Sequence, residues 1–187
     1  MHATPDTATL LKPLADFYTG RALPKVQFIE AARMPWASRQ LLDHPNDMTS
    51  TLQLFHGEEI RVHVLESRHD DACYAREVLL VTRDTRRTVE FGAIDIRLEL
   101  FPASAQREIF RAQIPLGTIL RSFRIDYVSN PRAFLQIESD DVMNAVLTLS
   151  HTHTLYGRCN EIINKEGQIL AGIVEILPPA INRRQNV

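Results

Sequence analysis

The sequence predicts an α+β domain in which helices cover one face of an antiparallel β-sheet. From residue 60 onward, segments of alternating apolar and polar side chains follow one another through short polar turns, which is typical of antiparallel strands. Helical periodicity is confined to the beginning of the chain and to one segment in its middle. Because strands and helices do not alternate regularly, a parallel sheet is not expected.

The composition indicates one globular domain and argues against membrane or nucleic-acid partners. The chain has 187 residues, of which 44% are hydrophobic, and this is enough to form a core. The formal net charge of -2 and the lack of a Lys/Arg run predict no nucleic-acid partner. No apolar stretch approaches the roughly 20 residues that span a bilayer, and no signal-peptide pattern is present, so we expect a cytoplasmic protein without a membrane partner.

The first part of the chain is predicted to be mainly helical. Pro13 is expected to kink the first helix, whereas Asn46 or Asp47 can cap a later one that Gly57 ends. The predicted elements are a helix over 6–18, a helix or a strand over 26–32, a helical turn over 37–42, and a helix from 46 or 47 to 55.

Strands dominate the rest of the chain. They are predicted over 60–65, 74–82, 89–100, 124–128, 133–138, 155–164 and a last segment ending at Pro178, with helices over 103–112 and from 115 onward. We therefore predict a single domain over 1–187, with a helical lead-in over 1–40 and a flexible tail over 180–187.

Two charged residues stand out because each lies in an otherwise apolar strand. Glu175 interrupts residues 169–177, ILAGIVEIL, and Arg76 shares its strand face with apolar residues of 74–81. A buried ionised group is unfavourable unless it is paired. We expect Arg76 to bind a carboxylate through its planar fork, and Glu175 to hydrogen-bond a hydroxyl or move a proton. The alternative is a structural ion pair between two neighbouring strands.

Other chemistry-bearing residues give weaker patterns. His151 and His153 share one face of an extended segment, but no third metal ligand has convincing spacing, so no metal site is predicted. Cys73 and Cys159 lack metal-type spacing and are expected to be reduced thiols. A GxSxG nucleophile motif is absent.

The order and spacing of several short motifs resemble the chorismate pyruvate-lyase family. The resemblance covers approximately residues 41 to 179, and each motif alone is weak. The motifs are NDMT at 46–49, AREVLL at 75–80, IPLG at 114–117, LYGR at 155–158 and VEILP at 174–178.

The resemblance implies a chorismate lyase-like fold and a cofactor-free elimination. It predicts a sheet of about six antiparallel strands with helices on one face, covering an internal ligand site. The implied reaction releases pyruvate from chorismate and leaves 4-hydroxybenzoate, without a metal or organic cofactor, for ubiquinone or secondary-metabolite biosynthesis.

The resemblance also assigns roles to residues of the site. Arg76 would bind the ring carboxylate, and Glu175 would hold the ring hydroxyl and move the proton. Met48 and Leu116 would bind the ligand through backbone amides of two flaps, with Gly117 beside Leu116.

One position departs from the family pattern. Ala93 stands where the family has a second arginine, and an alanine side chain cannot bind a carboxylate. Arg97, on the same strand face as Ala93, or Arg158 is predicted to take its place.

Two other functions remain open. The first is a diverged cyclase or dehydratase that acts on another cyclic or aromatic acid. The second is a non-catalytic small-acid-binding module, because effector domains of some bacterial transcription regulators look like this fold. Those regulators carry a helix-turn-helix domain first, and the residues before 46 are not basic and contain several prolines, which disfavours that domain. In every case we expect a small aromatic or cyclic carboxylic acid as partner, and a monomer or small homo-oligomer.

Overall fold

A seven-stranded antiparallel sheet forms the centre of the structure, a computed structural model that describes residues 6–70 and 72–179. The strands are β1 (Val26–Ile29), β2 (Ile60–His69), β3 (Cys73–Thr82), β4 (Thr88–Arg97), β5 (Val128–Glu138), β6 (Thr154–Ile163) and β7 (Ile169–Leu177). Their order across the sheet is β1-β5-β6-β7-β4-β3-β2. The helices are α1 (Thr7–Ala15), α2 (Trp36–Leu42), α3 (Met48–His56), α4 (Ala103–Arg111), α5 (Leu116–Ser122) and α6 (Asp141–Leu147). The predicted fold class is confirmed.

The structure differs from the prediction in the number of strands and the placement of helices. The segment that fitted either a helix or a strand forms β1, which pairs with β5 from Val26 opposite Ile137. The part predicted as a helical lead-in therefore also supplies an edge strand. Helices cover both faces of the sheet, because α1 packs on β4 and β7 from the side opposite the other N-terminal helices.

Three local predictions are corrected. The strand expected over 124–128 is absent except for Val128, which begins the single strand β5 that includes 133–138 and has a register irregularity between Pro131 and Ala133. Helix α6 was not predicted, although Asp140 caps it by accepting from the Met143 amide at 2.9 Å. The first helix ends at Ala15 with Pro13 inside it. The predicted tail over 180–187 lies outside the described residues, and the single domain over 1–187 stays a prediction.

The two sheet faces have separate cores. On one face, which we call the α1 face, side chains of α1 and α6 pack on Leu79, Ala93 and Val174. The opposite face, which we call the site face, carries two clusters, one centred on α4 and α5 and the other on α2 and α3. The space between these two clusters is where the candidate site lies.

Local sequence signals explain the helices that border this space. Asp47 caps α3 by accepting from the Ser50 amide at 2.9 Å, and Gly57 ends the helix with a positive φ of 69°. Pro115 precedes the first residue of α5, where its missing N–H costs no hydrogen bond. No helix among residues 6–70 and 72–179 combines the length and apolar character that crossing a membrane requires.

Candidate functional site

A partly open cavity lies between the site face of the sheet and the N-terminal ends of α3 and α5. It is partly open to solvent. Its walls are mainly apolar, and they include Val62, Val78, Leu80, Ile94, Leu120 and Ile173. The charged side chains that line it in the described part of the chain are Asp47, Arg76, Glu90 and Glu175.

Strand register brings Arg76 and Glu175 to this one cavity. Arg76 lies opposite Ile94 on β4, and Ile94 lies opposite Ile173 on β7, two residues before Glu175. Because side chains alternate along a strand, all of them are on the site face. The two charges that stood out in the sequence therefore lie in the same cavity.

Arg76 has no acidic partner among the described residues. Its side chain is 2% exposed, and its NH2 group donates to the Ile114 carbonyl oxygen at a long 3.5 Å. Its Nε and NH1 atoms are buried without a hydrogen-bond partner. Burial lowers the pKa of Arg76, which the nearby Tyr74 opposes, but an arginine keeps its charge at neutral pH. The cavity thus contains an uncompensated cation.

Glu175 is neutralised by Arg158 and not by Arg76. The two residues lie opposite each other on β7 and β6, and Arg158 Nε donates to the Glu175 carboxylate. Arg158 NH1 donates to the carbonyl oxygens of Leu42 and His44, both at 3.0 Å, and NH2 donates to that of Asn46 at 3.1 Å. Arg158 therefore fixes the loop between α2 and α3 to the sheet.

The structure does not bring the proposed substitutes for the second arginine into the cavity. Arg158 is occupied by Glu175 and the α2–α3 loop, as described above. Arg97 is exposed at the end of β4 and does not line the cavity. Ala93 lies opposite Glu77 and Val174, and its side chain packs in the core of the α1 face. A longer side chain at this position would point away from the cavity.

Glu90 is a site residue that the sequence analysis missed. It lies on β4 opposite Leu80, on the site face, and is 4% exposed. Its Oε2 atom is buried without a partner. Burial raises the pKa of Glu90 well above its ordinary value, the charge of Glu175 raises it further, and Arg158 opposes both. The signal that singled out Glu175, one acid in an apolar strand, was also present in residues 89–94, VEFGAI.

Asp47, the cap of α3, joins this helix to the last turn of α5 and to Tyr127. This carboxylate accepts from Ser50 Oγ at 2.7 Å and Tyr127 Oη at 2.8 Å, and Arg121 NH1 lies 3.2 Å away. Burial alone would raise the pKa of Asp47, but the hydrogen bonds and the Arg121 charge lower it overall. Met48, Leu116 and Gly117 line the cavity beside it, and their roles in ligand binding stay predictions.

The Gly117→Ala variant is expected to be less stable than the wild type by about 1–3 kcal/mol. A Cβ at this position would lie 2.3 Å from Asp47 Oδ1, so α5 would have to move away from α3. Gly172→Ala is the matched control, because its Cβ would meet Pro13 Cγ at an ordinary 3.7 Å. Urea denaturation measures both variants, and equal stabilities would contradict the close approach.

The residues considered as metal ligands do not form a metal-binding set. His151 and His153 stack with ring centroids 4.2 Å apart. Within 6–70 and 72–179, no three His, Cys, Asp or Glu side chains are grouped as they would be around a metal ion. Burial raises the pKa of the Cys159 thiol to about 12, and Cys159 lies in the core of the α1 face.

Comparison with known proteins finds similarity in structure only. No protein-family model and no curated protein matches the sequence. PhnF from Mycobacterium smegmatis has 13% identity and a TM-score of 0.56, over 72% of this chain and 64% of that one. The PhnF effector domain alone has 13% identity and a TM-score of 0.55, covering 71% of this chain and 88% of the domain. The ligand-binding domain of a GntR-family transcriptional regulator from Bordetella bronchiseptica has 9% identity and a TM-score of 0.51, covering 65% and 86%.

These similarities show a common fold, and this chain spans about two thirds of the length of PhnF (64%). They correct the prediction of an enzyme. The similar structures include an effector domain and the ligand-binding domain of a transcriptional regulator, so the prediction of a carbon–oxygen lyase of the chorismate pyruvate-lyase type is wrong. The resemblance to that family holds at the level of the fold. In the site, Glu175, the predicted proton carrier, accepts a hydrogen bond from Arg158.

Proposed function

We propose that this protein binds a small carboxylic acid without converting it, and that Arg76 binds the carboxylate. The observation that carries the proposal is the buried Arg76 guanidinium, which lines the cavity with two nitrogen atoms that lack a partner. A buried charge that is neither paired nor hydrogen-bonded is costly. A carboxylate ligand would supply both the missing charge and a bidentate acceptor.

The charges around the cavity favour an anion over a cation. Glu175 is paired with Arg158, and Asp47 is paired with Arg121. The raised pKa of Glu90 favours its neutral form. Arg76 is then the charge that remains without a counter-ion among the groups that line the cavity.

The cavity walls support an aromatic or cyclic acid as the ligand. Apolar side chains of β2, β3, β4, β7 and α5 surround Arg76, so a ring attached to the carboxylate would contact hydrocarbon on several sides. The first-turn amides of α3, at Met48, and of α5, at Leu116, border the same cavity. Such amides have no partner inside their own helix, and we propose that they assist in binding the anion.

Similarity of fold supports binding without conversion. The effector domain of PhnF and the ligand-binding domain of the Bordetella regulator have this fold. We infer that this chain likewise binds a small molecule, and that binding serves as a signal to another domain or protein. The same inference replaces the cyclase and dehydratase alternatives.

Isothermal titration calorimetry with benzoate, 4-hydroxybenzoate and benzamide tests the proposal. We expect both acids to bind at least about tenfold more tightly than the neutral amide, because only the acids compensate Arg76. The Arg76→Met variant should lose binding of the acids. Arg97→Met is the matched control, since it removes an exposed arginine of β4 outside the cavity, and it should bind as the wild type does.

Two outcomes would contradict the proposal. Equal binding of benzoate and benzamide would show that the ligand's charge is not recognised. Release of pyruvate from chorismate by the wild type, lost in Arg76→Met, would show that the protein is catalytic.

A further inference from the structure

Glu90 is a second charged residue of the cavity, besides Arg76, with a buried polar atom that lacks a hydrogen-bond partner. Its carboxyl group is buried, lines the cavity and has an Oε2 atom without a partner. Leaving such a group unsatisfied is costly, so a native structure rarely does so without a reason. Arg76 is also buried in this cavity with polar atoms that lack a partner. Its guanidinium needs hydrogen-bond acceptors, whereas the Glu90 carboxyl oxygens can accept hydrogen bonds.

The two unsatisfied groups lie on either side of Gly92, which is opposite Glu175 on β7. Arg76 is level with Ile94, and Glu90 is four positions away along β4. At the usual rise of a strand, their backbone positions differ by about 13 Å along the strand direction. Val78 and Gly92 are paired midway between them, and both line the cavity.

Gly92 shows that the Glu90 carboxyl group leans along β4 toward Arg76. A Cβ at position 92 would lie 3.0 Å from Glu90 Oε1 and 3.1 Å from the Val174 carbonyl oxygen. A side chain here would therefore crowd the Glu90 carboxyl group and fill the space between the two polar groups. The glycine leaves room for a ligand that reaches from one to the other.

Glu175 cannot take this role because its carboxylate is bound by Arg158. Arg158 supplies one positive charge for two neighbouring acids, and the geometry assigns it to Glu175. The repulsion between two buried acids and the burial itself favour the neutral form of Glu90. A neutral carboxylic acid has one O–H donor.

We propose that Glu90 donates a hydrogen bond to an uncharged acceptor at the far end of the ligand, whose carboxylate is bound by Arg76. The proposal rests on the proposed function and narrows it to a chemical class. The ligand is a monocarboxylic acid with an apolar body and an ether, carbonyl or hydroxyl oxygen remote from the carboxylate. A second carboxylate at that end is disfavoured, since it would lie beside Glu90 and the anionic Glu175.

Four groups must be considered in any pH dependence of this end of the cavity. Glu175 on β7 and Arg158 on β6 act on Glu90 directly, with opposite signs. Arg76 on β3 and Asp47 at the start of α3 line the same cavity. Of these, Asp47 has a lowered pKa and the arginines stay charged, whereas burial and the charge of Glu175 raise the pKa of Glu90.

Calorimetry at pH 7 with 4-methoxybenzoate, 4-ethylbenzoate and terephthalate tests the proposed ligand class. The first two probes are similar in size and differ by one oxygen in place of a methylene group. We expect the wild type to prefer 4-methoxybenzoate by about tenfold and to bind terephthalate most weakly. Glu90→Gln keeps a donor of the same shape and should keep the preference, whereas Glu90→Leu should abolish it while benzoate still binds.

A second measurement needs no ligand. The raised pKa means that Glu90 adds to stability below its ordinary pKa of 4.5, and this contribution is lost as pH rises toward the higher pKa of the folded state. Glu90→Gln does not titrate, so its denaturation midpoint should rise relative to the wild type as pH increases from 4.5 to 8. A midpoint that falls relative to the wild type would show that Glu90 is an ionised, paired group and would overturn the proposal.

The outcomes separate this proposal from the proposed function. If all three acids bind with equal affinity and Glu90→Leu has no effect, the role of Glu90 is wrong and that of Arg76 stands. If no acid binds and Arg76→Met changes nothing, the proposed function fails. The stability measurement then decides by itself whether Glu90 is a neutral donor.

Discussion

Replacement of Arg158 by methionine is expected to destabilise the fold by about 3–5 kcal/mol. The substitution leaves Glu175 buried without its cation, and it removes the donors that bind the carbonyl oxygens of Leu42, His44 and Asn46. The loop between α2 and α3 would lose its attachment to β6. Because this loop leads to Asp47 and Met48, ligand binding should weaken as well. Urea denaturation measures the free energy of unfolding.

Arg132→Met is the matched control for this prediction. Arg132 also pairs with a glutamate of the neighbouring strand, Glu161, at 3.0 Å, but its side chain is partly exposed. Its removal should cost at most about 1 kcal/mol. If Arg158→Met costs no more than Arg132→Met, then Arg158 does not fix the loop. A double variant, Arg158→Met with Glu175→Leu, should recover part of the loss, since no buried carboxylate then remains unpaired.

Arg76→Met is expected to have the opposite effect on the ligand-free protein. Arg76 forms a long hydrogen bond to the Ile114 carbonyl oxygen, has two nitrogen atoms without a partner and bears the cost of burying its charge. An apolar side chain of similar length should leave the stability unchanged or raise it by about 1–4 kcal/mol. The same variant should no longer bind carboxylic acids. A residue that lowers stability and enables binding is typical of a functional site.

The prediction is checked by denaturation with and without benzoate. Benzoate at 100 times its dissociation constant should stabilise the wild type by about 2.7 kcal/mol and leave Arg76→Met unaffected. If Arg76→Met destabilises the ligand-free protein as much as Arg158→Met does, Arg76 is a structural residue. The two variants are expected to change the free energy of unfolding in opposite directions. Comparing them is therefore the sharpest test of the site.

Much of the local structure could be predicted from the sequence because it depends on neighbouring residues. Asp47 marks the start of α3 because its side chain caps the helix, and Gly57 marks the end because it adopts a positive φ. Helix α6 was missed although its cap was readable at Asp140. Segment 26–32 was ambiguous because four residues of strand are too short for periodicity to decide, and pairing with β5 decides it.

The candidate site was predicted in part. Alternation along each strand placed Arg76 and Glu175 on buried faces, and the same rule applied to β4 would have found Glu90. Alternation along β4 also determines which sheet face carries the Ala93 side chain. That this face is the one opposite the cavity is visible only from the pairing of β3, β4 and β7. The partner of Glu175 was not predicted, because Arg158 lies on another strand and only the pairing of β6 with β7 brings the two together.

The sequence by itself determined that Arg76 and Glu175 lie on buried strand faces, because side chains alternate between the two faces of a strand. Only the tertiary structure decided which of those charges compensate one another. The order of strands places β6 beside β7 and β4 between β7 and β3, so Glu175 meets Arg158 and Arg76 is left without a partner. Strand order depends on contacts between distant parts of the chain, and electrostatic pairing acts over a few ångströms. An unpaired cation in a cavity is therefore a property of the folded sheet.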